Sequence, residues 1–188
     1  MNTVAPTRMT VEEFLALPDD GIDRMLIDGI LVENGMTRRN RWHSLVVTRV
    51  AQFLANWLDA RPMPRGHVLT GDAGFCVPDG SETVVGIDIA YVSADVIARQ
   101  TDDSSIIHGI PVLAVEVLSP SDTQESIKSK MKTYRRAKVP IVWLIDTGDR
   151  TVTVYRLGAK PRLVDDTMEL SGEPELPGFT VPAGRLFE

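Results

Sequence analysis

The stretch PVLAVEVLSP, residues 111–120, constrains the fold most, because a single carboxylate interrupts a run of strand-forming apolar residues. Alternate residues of a strand face opposite sides of its sheet, and apart from Glu116 both sides of segment 111–118 are apolar. This pattern is typical of a strand in the middle of a sheet that is covered on both faces. We therefore expect Glu116 to lie where water is largely excluded.

The first half of the chain contains clear local patterns. Thr10 and Glu13 form a capping box that predicts a short N-terminal helix. Asp28-Gly29 between two apolar runs predicts a β-hairpin. Apolar residues at helical spacing predict a long helix over residues 43–59.

The rest of the chain predicts strands and a second long helix. Ser121, with Gln124 three residues later, predicts the start of that helix. The tail after Gly158 is expected to wrap the surface, with a short strand at 162–164 at most. Strands are predicted at 66–77, 84–92, 111–118, 141–146 and 151–157. This order predicts an α/β fold, a mixed β-sheet flanked by helices with an N-terminal helix and β-hairpin.

Length and composition set the class of protein. A chain of 188 residues predicts one domain, residues 1–188, with a hydrophobic core of its own. Cys76 is the single cysteine, so no disulfide can form within the chain, which favours a reducing compartment. The N-terminus lacks the apolar stretch of a signal peptide, and no apolar run is long enough to span a membrane. A cytoplasmic location is expected.

Charge is unevenly distributed along a chain whose net charge is −6. Segments 36–50 and 122–138 each carry four more basic than acidic residues, so the remainder is strongly acidic. Two basic segments are compatible with nucleic-acid binding, but they are equally compatible with solvated helix faces.

A second carboxylate, Asp88, interrupts the apolar run VVGIDIAYV. Burial alone can raise the pKa of a carboxyl group by about 3–5 units, so a cation is needed to compensate such a group. Two carboxylates on neighbouring strands would form the hard oxygen site that Mg²⁺ or Mn²⁺ prefers. We therefore expect Asp88 and Glu116 to converge on one metal site.

The helix after the Glu116 strand supplies a candidate cation. At 100° per residue, Lys130 falls inside the apolar stripe of Ile127, Met131 and Tyr134. Other basic residues of the helix fall outside it: Lys128, Lys132, Arg135 and Arg136. Two metal-binding carboxylates and a lysine beside them are the groups needed for metal-assisted phosphodiester hydrolysis.

Each of these residues also has a purely structural interpretation. Glu116 could form a buried ion pair with Lys130 or with an arginine. Asp88 could accept backbone donors at a strand bend, and Lys130 could extend its amine to solvent. Because the intrusions fall on consecutive strands and on the next helix, a functional cluster is favoured.

These segments together resemble the Uma-two family of bacterial restriction-endonuclease-like proteins, which belongs to the PD-(D/E)XK nuclease superfamily. The resemblance rests on MTVEEFLALPDDG, LIDGILVE, GIDIAYVS, GIPVLAVEVLSPSDT with a downstream lysine and tyrosine, VWLID, TVTVYRL and LPGF. It implies a restriction-endonuclease-like fold and Mg²⁺-dependent (or Mn²⁺-dependent) hydrolysis of DNA. It also implies that Asp88 and Glu116 bind the metal and that Lys130 is the family lysine. The superfamily's usual lysine position is occupied by Leu118 here, so the resemblance implies that its role has moved.

One departure from the family pattern bears on activity. Met25 stands where the family commonly has an acid, and Glu33 should point to the opposite side of the hairpin because Met25 faces Val32 across the turn. The alternative function is therefore a catalytically inactive nuclease-fold binding or interaction module.

The remaining expectations concern ligands and partners. His43 aligns with a family histidine, but a hydrogen-bonded core histidine is favoured over a metal ligand. One cysteine and three scattered histidines give no zinc pattern. The expected partners are DNA and a second copy of the chain in a homodimer, with no membrane partner.

Overall fold

The computed structural model of the chain describes residues 8–18, 20–34, 40–78, 80–101, 105–120 and 122–188. The predicted capping box is present at the N-terminus, where Thr10 accepts a hydrogen bond from the Glu13 amide and precedes helix α1, Val11–Leu15. The other helices are α2 (Arg41–Asp59), α3 (Ala94–Ile97), α4 (Gln124–Arg136) and a terminal 3-10 helix (Ala183–Phe187). No helix within these ranges combines the length and apolarity needed to cross a membrane.

The strands of the main sheet follow the predicted pattern closely. The hairpin turn at Asp28-Gly29 joins the first two strands, and both turn residues have positive φ angles, as a tight hairpin turn requires. The strands are β1 (Asp23–Ile27), β2 (Ile30–Asn34), β3 (His67–Cys76), β4 (Val84–Val92), β5 (Ile107–His108), β6 (Leu113–Val117), β7 (Ile141–Asp146), β8 (Thr151–Arg156) and β9 (Arg162–Asp165).

The main sheet is mixed, and β6 lies near its middle. Its order is β2-β1-β4-β6-β7-β8-β9, with β3 paired to both β4 and β5. Strand β6 is antiparallel to β4 and parallel to β7, and α4 connects β6 to β7. All five residues of β6 are buried, which confirms the prediction of a central strand covered on both faces.

Helices cover the two faces of the sheet with separate cores. On one face, α2 contributes Val46, Val50 and Leu54 to a core that also contains Val115 and Trp143. On the other face, α4 contributes Tyr134 and Ala137 to a core that contains Phe75, Ala114 and Val142. Because successive residues of β6 alternate between these cores, Glu116 shares the α4 face with Ala114.

Helix α4 begins later than the sequence suggested. Its N-cap is Thr123, whose hydroxyl accepts a hydrogen bond from the Ser126 amide, and the Ser126 side chain accepts one from the Thr123 amide in return. The pair predicted to cap the helix was Ser121 and Gln124. Ser121 lies outside the described residues, and Gln124 is the first helical residue.

The C-terminal tail is more ordered and more buried than predicted. It forms β10 (Glu169–Ser171) and β11 (Thr180–Pro182), which pair antiparallel in a small second sheet, followed by the 3-10 helix. Leu170, Leu176, Phe179 and Leu186 are buried in the same core as α2. The expectation of a surface tail was therefore wrong. The sequence did not indicate this burial, because the apolar residues of the tail are spaced too irregularly for a strand or helix pattern.

Candidate active site

Asp88 occupies an irregular point of the sheet. The pairing of β3 with β4 changes register between Thr70↔Ile89 and Ala73↔Ile87, so Gly71 and Asp72 together stand opposite Asp88. Both bulge residues have positive φ angles, 84° and 58°. The pairing of β4 with β6 also ends at Ile89. Bulges of this kind redirect side chains and are frequent beside active sites.

The core clusters on either side of Asp88 show this redirection. Ile87 belongs to the core under α4, whereas Ile89 belongs to the core under α2. Residues two apart in a regular strand would share one face, so the strand changes its facing at Asp88. The carboxylate consequently extends toward the end of β6, where its Oδ2 accepts a hydrogen bond of 2.8 Å from the Val117 amide.

Asp88 is buried and held from two sides. Only 5% of the residue is exposed, and His43 Nε2 from the first turn of α2 lies 3.3 Å from each carboxylate oxygen. Burial raises the pKa of Asp88, but the hydrogen bonds from His43 and the Val117 amide outweigh it and hold this pKa below its usual value. Asp88 is therefore ionised at neutral pH.

Glu116 is buried to a similar extent, with 6% of the residue exposed. Its Oε2 accepts a hydrogen bond of 2.7 Å from Lys130 Nζ, and its Oε1 accepts one from the Tyr134 hydroxyl. Burial raises the pKa of Glu116 despite the opposing charge of Lys130. Burial would lower the pKa of Lys130, but the Glu116 carboxylate more than compensates and raises it, so the ammonium stays charged.

Asp88, Glu116 and Lys130 line the same small cleft. Its volume is about 40 Å³, room for a bound ion with a few water molecules or ligand oxygens. The loop between β6 and α4 supplies Leu118 and Asp122, and Asp122 is fixed by hydrogen bonds from the amide and hydroxyl of Ser119. The structure thus brings together the three residues that the sequence singled out.

The other basic residues of α4 lie elsewhere, as the helical wheel predicts. Lys128, Lys132 and Arg135 line a separate groove on the other flank of the helix. Arg136 forms an ion pair of 2.6 Å with Asp28 of the hairpin turn. Lys130 is thus the basic residue of α4 that reaches the cleft.

The structure also places Met25, the position at which the resemblance described above implies an acid. Met25 is 8% exposed and pairs with Val32 across the hairpin, as predicted. Glu33 pairs instead with Arg24, whose Nε lies 2.9 Å from Glu33 Oε1. Glu33 therefore points away from the face of Met25, and neither residue is among the described residues that line the cleft.

The donor set suits a metal that retains part of its water shell. Within the described ranges, no group of three or more histidine, cysteine, aspartate or glutamate residues is placed to hold a metal ion. Asp88 and Glu116 would provide two hard oxygen donors. The other coordination positions would be left to water or to oxygens of a ligand, an arrangement that Mg²⁺ commonly adopts.

Two residues of the site were not identified as functional from the sequence. Tyr134 lies four residues after Lys130, so both project from the same side of α4, and this spacing could have identified it. His43 was predicted to be a hydrogen-bonded core histidine, and it is buried with Asp88 as its partner. No local pattern could have revealed this partner, because the two residues are 45 positions apart.

Comparison with known proteins agrees with this fold. The model of the Uma2 family, described as "Putative restriction endonuclease", matches residues 11–184. Among solved structures, the chain resembles a crystal structure described as "a putative nuclease belonging to DUF820" from Anabaena variabilis. The TM-score is 0.80 at 19% identity, over 95% of this chain and 97% of the other, so this likeness concerns the fold. A search of curated proteins found no significant match.

Proposed function

The chain belongs to the Uma2 family, and from this premise we propose that it is a metal-dependent endonuclease that hydrolyses DNA phosphodiester bonds. The observation that carries the proposal is the cleft in which two buried carboxylates, Asp88 and Glu116, meet one charged lysine, Lys130. Charged groups gathered in a cleft, with pKa values shifted by burial and by each other, are typical of catalytic sites.

Asp88 and Glu116 are the proposed ligands of Mg²⁺ or Mn²⁺. Two carboxylates with space for water and phosphate oxygens match the coordination that Mg²⁺ adopts beside phosphate substrates. When bound, such an ion supplies Lewis acidity toward a phosphate oxygen and makes a bound water easier to deprotonate.

The other residues of the site keep these carboxylates in position. Lys130 and Tyr134 hold the two oxygens of Glu116, whereas His43 and the Val117 amide hold Asp88. The ammonium of Lys130 also places a positive charge at the edge of the cleft, where it would stabilise negative charge developing on a phosphate. We therefore assign Lys130 a direct catalytic role, and His43 and Tyr134 positioning roles.

A purely structural role for these buried contacts is the competing explanation. Buried ion pairs are a poor means of stabilising a fold, since apolar residues of similar volume often serve as well or better. The buried pair of Glu116 with Lys130, beside a second buried carboxylate at Asp88, is therefore better explained by function. The replacement of the family's usual acid by Met25 favours the inactive binding module, which the following experiment distinguishes.

The experiment combines metal binding with DNA cleavage. Calorimetric titration with Mn²⁺ should show one site in the unmodified protein, and Asp88→Asn and Glu116→Gln should each abolish both Mn²⁺ binding and Mg²⁺-dependent cleavage of plasmid DNA. Glu33→Gln is the matched control, because it removes an acid on the opposite side of the hairpin and should change neither. A folded protein that neither binds Mn²⁺ nor cleaves DNA would establish the inactive module instead.

Three broader expectations belong to the same proposal. Residues 1–188 would form one domain, the protein would act in the cytoplasm, and it would assemble as a homodimer. Light scattering coupled to size-exclusion chromatography measures the last of these directly, and a monomeric mass at micromolar concentration would contradict it.

A further inference from the structure

A second, larger groove lies on the other flank of α4. Its volume is about 610 Å³. One wall is formed by α4 and the floor by Val142 of β7 and Tyr155 of β8, while the turn after β8 closes one end at Leu157 and Gly158. None of the functions assigned above binds a ligand in this groove, although Tyr134, which positions Glu116, also lines it.

The wall of the groove is positively charged. Lys128, Lys132 and Arg135 line it and are all exposed, and none of them lies within ion-pair distance of a described acid. Arg156, which also lines the groove, is neutralised by Glu175 at 3.1 Å. Three exposed basic side chains therefore line the groove, although Asp28 lies close enough to Lys132 to interact with its charge. A ligand with repeated negative charges would complement them.

The floor of the groove is apolar and aromatic. Tyr155 is half-buried, its cross-strand neighbour Val142 is buried, and Leu157 remains 54% exposed. An exposed leucine beside an accessible aromatic ring offers a surface that water solvates poorly. A ligand made only of phosphates would leave this floor uncovered, so the floor favours a ligand with flat apolar faces as well as charge.

The groove adjoins the cleft of the candidate active site. Ile127 and Met131 of α4 line both and lie between them. A chain molecule held at Glu116 and Lys130 could therefore continue across these two residues into the groove.

We propose that this groove binds unpaired nucleotides of single-stranded DNA, with bases against Tyr155 and Leu157 and phosphates beside Lys128, Lys132 and Arg135. The inference rests on the proposed nuclease function and specifies its substrate as DNA with an unpaired segment next to the cleaved bond. Aromatic floors in basic grooves are the general means of binding single strands, because every base has a face that can stack.

Two other occupants fit the groove less well. Duplex DNA keeps its base faces stacked inside the helix, so it would use the basic wall and leave the aromatic floor uncovered. A second copy of the chain in a two-fold dimer would bring the same basic wall against itself, and like charges would repel.

The test is fluorescence anisotropy with a labelled single-stranded dT oligonucleotide and a duplex of the same length, both in EDTA so that no cleavage occurs. The single strand should bind more tightly. Tyr155→Ala should weaken single-strand binding roughly 5- to 100-fold and leave duplex binding nearly unchanged. Tyr155→Phe should retain the single-strand affinity of the unmodified protein. Lys132→Glu, a surface change with little risk to folding, should make the salt dependence of single-strand binding shallower by roughly 0.7 in log–log slope.

Lys138→Glu is the matched control, since Lys138 follows α4 outside the groove and carries the same charge change. Equal effects of Lys138→Glu and Lys132→Glu, tighter binding of the duplex, or a Tyr155→Ala protein with full single-strand affinity would each overturn the inference. So would a loss of self-association in Lys132→Glu, because the groove would then be a dimer contact.

Plasmid cleavage that requires Glu116 but not Tyr155 would leave the nuclease function intact while this inference fails. Groove-dependent binding of the single strand without cleavage would support this inference and contradict the proposed nuclease function.

Discussion

Lys130 Nζ lies 2.7 Å from Glu116 Oε2, although 14 residues separate them in the chain. The contact forms because α4 runs back across the strand that it follows, so the second turn of the helix lies over the end of β6. The side chain of Glu116 is 8% exposed and that of Lys130 is 23% exposed, so the pair is largely but not wholly removed from water. Each charge therefore depends on the other for most of its stabilisation.

This dependence predicts a measurable coupling between the two residues. Lys130→Met should lower the free energy of unfolding by about 2–4 kcal/mol, because it leaves a buried carboxylate without its cation. The double variant Lys130→Met/Glu116→Gln should recover much of that loss, since neither charge remains. Urea unfolding of the four proteins gives the coupling energy as a double-mutant cycle. A coupling near zero would mean that the two groups are independently solvated.

The catalytic role of Lys130 predicts a second, separate effect. Lys130→Met should keep Mn²⁺ binding, because it removes no ligand, but should lower the cleavage rate by roughly 10²–10³-fold through lost charge stabilisation. Lys132→Met, two residues away on the other flank, should weaken DNA binding modestly and make its salt dependence shallower. Single-turnover cleavage of plasmid DNA with saturating enzyme measures the first effect. If both variants slowed cleavage equally, α4 would provide only a general basic surface.

Tyr134 is expected to act through Glu116. Tyr134→Phe keeps the buried ring but removes the hydroxyl that donates to Glu116 Oε1, so it should lower the free energy of unfolding by about 1.5–3 kcal/mol. If Tyr134 also orients Glu116 as a ligand, the affinity for Mn²⁺ should fall roughly 10- to 100-fold. Calorimetric titration separates these roles, because a tyrosine that only stabilises the fold would leave Mn²⁺ affinity unchanged.

The sequence predicted most of the sheet because its strands carry strong local patterns. The run of β4 was predicted with its observed ends, Val84–Val92, and the hairpin turn at Asp28-Gly29 was correct. Charged residues within apolar strand runs and within an apolar helical stripe also singled out Asp88, Glu116 and Lys130 as candidates. These signals are local, and they depend only on the alternation of faces along one strand or helix.

Features that depend on distant contacts could not be predicted in this way. The bulge at Gly71 and Asp72 places Asp88 between two faces of the sheet. A glycine inside a strand pattern can indicate a bulge, but it does not show which residue of the neighbouring strand the bulge will redirect. The partnership of His43 with Asp88 joins α2 to β4 across the sheet. The short strand pair and the 3-10 helix of the tail are stabilised by burial against α2 rather than by their own propensity.

The ion pair of Asp28 with Arg136 gives a prediction for the dependence of stability on pH. Arg136 lies 2.6 Å from the Asp28 carboxylate, and its hydrogen bond is the main reason that the pKa of Asp28 is lowered. A carboxyl whose pKa is lower in the folded state adds stability above its unfolded pKa, near 3.9, and loses it as pH falls through the folded value. The side chains of Arg136 and Asp28 are 31% and 39% exposed, respectively. The contribution of this ion pair to the free energy of unfolding should therefore stay below about 1 kcal/mol.

Asp28→Asn tests this sign directly. Asp28 has a φ angle of 53°, and asparagine tolerates that left-handed conformation, so the substitution removes the charge without straining the hairpin turn. In urea unfolding, the stability difference between Asp28→Asn and the unmodified protein should be constant above about pH 5 and should shrink toward zero as pH falls below about 3.9. Arg136→Gln should show the same pH dependence, because it breaks the same pair from the other side. A difference that stayed constant down to pH 3, or that grew as pH fell, would show that the ion pair adds no stability and that Asp28 matters only for the geometry of the turn.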